Sequence, residues 1–133
     1  KQMQRLMRDL WSSNASFKII VSNSTFFGES DESLKSFESD YKEFITRFHK
    51  GNFSGLVFLS MNENGTSEFI TEERENDYPL TEMSIGGLEN GQYSRVRVEG
   101  DYVKNTRKII LEIFNADGKV IDSKEILASE MKN

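Results

Sequence analysis

From Leu34 to Phe48, six apolar side chains recur at steps of three and four: Leu34, Phe37, Tyr41, Phe44, Ile45 and Phe48. Glu38, Asp40, Lys42, Glu43 and Arg47 occupy the positions between them. Such a stripe belongs to an α-helix, because three to four residues carry the chain once around the helix axis. The flanks agree with it. Ser30 can cap the first turn, and Asp31 and Glu32 follow where the helix dipole favours negative charge. His49 and Lys50 fall in the last turn, and Gly51 can take the left-handed position that ends a helix. The spacing predicts a helix over 31–49. Four rings on one face are core material rather than a cofactor box, since each removes a large apolar area from water when covered.

Strands supply the cover. Phe17, Ile19 and Val21 alternate with Lys18 and Ile20, and "ESDES" ends that stretch. "SGLVFLSM" meets Asn62-Glu63-Asn64-Gly65 and continues as "TSEFIT", the composition of a hairpin. "EERENDYP", closed by Pro79, reads as a loop. Gly86-Gly87 and Asn90-Gly91 mark two more turns. In "YSRVRVEGDYV", Val96 and Val98 alternate with Arg95, Arg97 and Glu99, a strand with one face in water that ends at Gly100. "TRKIILEIFNADGKVIDSKEI" is apolar, turns, and is apolar again, and "KEILASEMKN" is weakly helical. The fold class expected is α+β: an antiparallel sheet of five or six strands with the 31–49 helix across one face. One domain of 133 residues can bury one core of that size.

The Asn115-Ala116-Asp117-Gly118 turn imitates part of a calcium loop, whose sixth position is glycine and whose first and twelfth supply oxygen. With Gly118 sixth, those ends fall on Ile113 and Lys124; with Gly65 sixth, they fall on Ser60 and Thr71. No carboxylate stands at any of the four. A backbone bend with positive φ accounts for the Asn, Asp and Gly. No metal or cofactor is expected.

Enzyme chemistry is poorly supplied, and the expectation is a protein that is not an enzyme. Zero cysteines remove thiolate nucleophiles and Cys-based metal sites. The one histidine, His49, complements a helix C-terminus, and no G-x-S-x-G elbow or phosphate-binding glycine motif is present. A net charge of −5 disfavours a nucleic-acid partner, which needs clustered cations. The acidic run Glu72, Glu73, Glu75 and Asp77, and the strand face with Tyr93, Arg95, Arg97 and Glu99, are the candidate contact surfaces for a protein partner.

At the start, Met3, Leu6 or Met7, and Leu10 form a short stripe beside Trp11, with Lys1, Arg5 and Arg8 around it. This predicts a terminal helix at 1–12, docked on the core or continuing a longer anchor helix. Beginning at Lys1 rather than methionine suggests an excised or processed piece, whose membrane contact, if any, would come through a segment upstream. Asn14, Asn23, Asn52 and Asn64 each begin an N-glycosylation acceptor pattern, so the reading leans to an extracytoplasmic or membrane-anchored setting.

Two resemblances follow from these residues. "GGLENGQYSRVRVEGDYV" is similar to the first strand of an OB-fold, which implies a nucleic-acid-binding barrel. A basic "RLMRDLW" helix ahead of an antiparallel sheet resembles the soluble part of a pilin-like or pseudopilin subunit, which implies assembly. The function expected is a non-enzymatic protein-binding or assembly module.

Overall fold

The computed structural model describes residues 2–63 and 65–132, so the Asn64 acceptor pattern and Lys1 lie outside the described residues. The chain is α+β. Its helices are α1 (Gln2–Ser12) and α2 (Glu38–Gly51). A four-stranded sheet holds β1 (Lys18–Ser22), β2 (Leu56–Met61), β3 (Glu68–Arg74) and β4 (Asp77–Ile85) in the order β1-β2-β4-β3. A three-stranded antiparallel sheet holds β5 (Tyr93–Glu99), β6 (Lys108–Phe114) and β7 (Val120–Leu127) in chain order.

The α+β class expected from the pattern holds, while the strands divide into two sheets rather than one. The first sheet is mixed: β1 runs parallel to β2 and β2 parallel to β4, and only β3 is antiparallel to its neighbour. The expected hairpin about residues 62–65 is therefore absent, because β4 lies between β2 and β3. The reason is in β2 itself. Leu56, Val57, Phe58 and Ser60 are all buried, so β2 needs cover on both faces and both edges, which a two-stranded hairpin cannot give. The expected loop over "EERENDYP" is instead the β3–β4 hairpin, turning at Asn76 with φ 65°. Pro79 is accommodated inside β4 because it precedes the β2 pairing, which starts at Thr81, and sits beside the register shift opposite Glu72–Arg74.

Helices cover one face of the first sheet. Phe44 and Phe48 of α2 pack on Phe58, with ring centroids 5.9 and 6.0 Å away, and Phe26 and Phe27 close on the same ring at 4.9 and 5.1 Å. Met7 and Leu10 of α1 join this core. The second sheet covers the other face: Ile109, Leu111 and Ile113 of β6 belong to the same core, and Lys124 of β7 reaches Thr71 of β3 at 3.2 Å. Ile19 and Val21 are exposed because β1 is an edge strand, and Val21 remains 72% accessible.

The main helix begins later than its stripe suggests. Leu34–Ser36 form a 3-10 turn, and Ser30 caps nothing in α2. The cause is Glu82, wholly buried on β4. Its two carboxyl oxygens accept from the backbone N–H groups of Phe26 and Phe27, each at 2.9 Å, and from the Ser60 hydroxyl. This ties the chain after β1 back over the sheet. The amides of Leu34 and Lys35 then bond the carbonyls of Thr25 and Phe26 instead of entering a helix. At the far end Asn52, not Gly51, takes the left-handed conformation, with φ 51°. Gly51 has a different role: a Cβ there would stand 2.3 Å from the Phe53 ring.

The Asn115–Gly118 turn joins β6 to β7 as read from the sequence. Gly118 has φ 81°, and the Asn115 side chain accepts from the amides of Asp117 and Lys119. The tail expected to be weakly helical starts as strand, since β7 runs through Leu127, and a 3-10 turn at Ala128–Glu130 follows. The second sheet is an open meander of three strands, so the OB-like strand at Tyr93–Glu99 is not part of a closed five-stranded barrel.

Candidate functional site

Tyr93, Arg95, Arg97 and Glu99 alternate along β5 and so share one face, the one turned away from the core. Opposite them on β6 stand Phe114, Glu112, Ile110 and Lys108. Sequence reasoning singled out the β5 residues but missed Glu112 and Phe114, hidden in a run that reads as wholly apolar except for one acid. Glu112 organises the face. It is buried, and both Arg95 and Arg97 donate to it, at 3.0 and 2.9 Å through their Nε atoms. Arg97 also pairs with Glu99. These bonds hold the Glu112 carboxyl at about 2, well below the usual range, Arg95 first and Arg97 next. They raise Arg97 in turn.

Aromatic stacking completes the face. The Tyr93 and Phe114 rings lie nearly parallel with centroids 4.9 Å apart, and the Arg95 guanidinium stands 5.1 Å over Phe114. Tyr93, Val120 and Leu127 keep 46%, 48% and 41% of their surface in water. The result is a rigid face of arginine and tyrosine whose positive charges are matched internally.

The acidic run does not form one surface. Glu72 accepts from the Tyr41 hydroxyl at 2.7 Å and pairs with Lys35 at 2.8 Å. Burial, and then this bond to Glu72, push the Tyr41 hydroxyl up. Asp77 is buried between His49, at 2.8 Å, and Arg74, at 3.4 Å. Glu73 and Glu75 are exposed at the hairpin. Two of the four acids thus fix α2 and the 3-10 turn to the sheet, and two are solvated. The His49–Asp77 pair has the orientation of a general base and its positioning carboxylate, but Asp77 is the ring's one hydrogen-bond partner among the described residues.

A polar hollow of about 480 Å³ opens outside the carboxyl ends of β1 and β2. Asn23, Thr25, Asp31, Glu32, Asn62 and Glu63 line it, together with Ser24 and Ser30. A second hollow of about 520 Å³ shares Asn62 and Glu63 and extends to Glu89 and Asn90 beyond β4. These residues come from three separate connections, and no local pattern in the sequence marks them as neighbours.

The fold and these surfaces define a two-sheet α+β domain with helices on one side. No protein-family model, no curated protein and no solved structure matches the chain.

Proposed function

We propose that this chain is a non-enzymatic protein-binding or assembly module that contacts its partner through the outer face of β5, β6 and β7. One observation carries the reading: Arg95 and Arg97 are locked on the buried Glu112 beside the stacked Tyr93–Phe114 pair. Arginine and tyrosine dominate the energetics of protein interfaces, and side chains already held in one rotamer lose little freedom on binding. The exposed Tyr93, Val120 and Leu127 add apolar contact around that centre. Matched charge also favours a protein surface over a phosphate backbone, because a guanidinium engaged with a carboxylate has little left to displace counterions.

The test is a quantitative comparison of proteins retained from an extract of the source cells by the wild-type chain and by Tyr93→Ala/Leu127→Asp. This variant leaves the Glu112 cluster intact, and its fold is checked by circular dichroism. Retention of a defined partner should fall at least tenfold. Equal retention by the variant removes this face from consideration. Charge reversal of Arg95 and Arg97 serves as the second variant.

A further inference from the structure

We propose that the slot between α1 and α2 binds a small amphiphile with a single carboxylate, its apolar chain on Met7 and Trp11 and its carboxylate at Thr46, between Lys42 and Lys50. The slot encloses about 460 Å³, within the usual range for small-molecule sites. Met7 and Trp11 line it from α1, four residues apart and so on one face of that helix. Lys42, Thr46 and Lys50 line it from α2, again at steps of four.

The apolar side of the slot is left uncovered. Met7 belongs to the core at 4% exposure, whereas Trp11, one turn further on, keeps 67% of its surface in water. Trp11 meets Phe53 with ring centroids 6.1 Å apart, its one ring contact among the described residues. An indole so exposed beside a hollow gains from any apolar group that covers it, because aromatic side chains carry large apolar areas. Midway along the α2 side stands Thr46, short and exposed. A leucine at that position would fill the space; the threonine leaves it open and adds a hydroxyl donor.

Charge selects the sign of the ligand. Lys50 has no ion pair or hydrogen bond among the described residues. Lys42 pairs with Glu38, but the two side chains are 74% and 83% exposed, and water weakens such a link. Glu43, the one acid at the rim, is already taken by Arg47 at 2.9 Å. Four residues of helix span about 6 Å, so a carboxylate at Thr46 lies within reach of both ammonium groups as well as the hydroxyl. A cationic head would meet the same two lysines as repulsion. Because Met7 is recessed between the helices, the slot suits a single apolar chain better than a flat lipid surface.

This site lies on different elements from the outer face of the second sheet, and the two readings fail independently. Trp11 is the only tryptophan, so its emission reports on the slot alone. Decanoate at millimolar concentration, below its micelle threshold, should shift that emission to the blue and saturate. Lys50→Gln should weaken binding about tenfold, the worth of one charge-assisted hydrogen bond. Thr46→Leu, which fills the slot from an exposed position, should abolish saturable binding, read by calorimetry because its starting emission differs. Tyr93→Ala should leave binding unchanged, and decyltrimethylammonium should bind far more weakly than decanoate. Absence of a saturable shift overturns the proposal, and so does equal binding of the cationic amphiphile, or of decanoate by Thr46→Leu. A shift produced by phosphatidylglycerol vesicles and not by decanoate overturns it in favour of a membrane surface. A shift that grows with protein concentration alone overturns it in favour of a second copy of the chain in the slot.

Discussion

At the scale of single residues, Glu112 sets the chemistry of the second sheet. Its ordinary value is 4.5 and the two arginines hold it at about 2. A carboxyl depressed by folding stabilises the native state above its unfolded value and loses that effect as pH falls through the folded one. The stabilisation is therefore complete above about pH 4.5 and disappears toward pH 2. Urea midpoints for Glu112→Gln should be lower than wild type at pH 7 and should converge with it as pH approaches 2. A constant difference across that range would show that Glu112 acts through shape alone. Gly118 makes a backbone demand, since its φ of 81° disfavours any side chain. Gly118→Val should lower stability by about 1–2 kcal/mol, and added calcium should leave the melting temperature of either protein unchanged.

At the scale of elements, the segment between β1 and α2 is held from within. Glu82 bonds two successive backbone amides, and the 3-10 turn follows because the next amides turn to Thr25 and Phe26. Replacing it by leucine leaves the Phe26 and Phe27 amides and the Ser60 hydroxyl without their acceptor. The loss should be about 2–4 kcal/mol, as each orphaned buried donor costs about 1–3 and the new methyl groups offset part of it. Hydrogen exchange should report this locally, with amides 23–36 losing protection before those of β6. The sequence shows α2 well after Glu38 and misplaces its start, because a buried acid on a strand some forty residues later decides where the helix begins.

At the scale of the whole molecule, both helices belong to one core with the two sheets. Leu10 is 7% exposed in that core, so Leu10→Ala should lower stability by about 2–5 kcal/mol. A loss below 1 kcal/mol in denaturant titration would mean that α1 rests on the domain without supporting it. Features set by neighbouring residues were legible in the sequence: the Tyr41–Phe48 part of the α2 stripe, the β6–β7 turn and the alternating β5, whereas Phe37, read as a core ring, precedes α2 and is 54% exposed. Features set by distant pairing were not. The pattern of β2 does not say that β4 will come between it and β3, and Arg95 does not announce that Glu112 lies opposite. The acidic hollows were the least legible, since Asp31 comes to share one hollow with Glu63, and Glu89 the next, only once three parallel strands end at one side.

The strand order β1-β2-β4-β3 also has a bearing on synthesis. The strand that joins the two halves of the first sheet is the last of its four to be made. A ribosome adding about 5–20 residues per second leaves the inner edge of β2 open for roughly one to five seconds before Ile85 is in place. During that interval the apolar Leu56–Leu59 run is a ready template for a strand from another nascent chain. Yield in the cell is then governed by how quickly β4 arrives and seats, so slow codons between residues 62 and 85 should lower it even though the finished protein is identical.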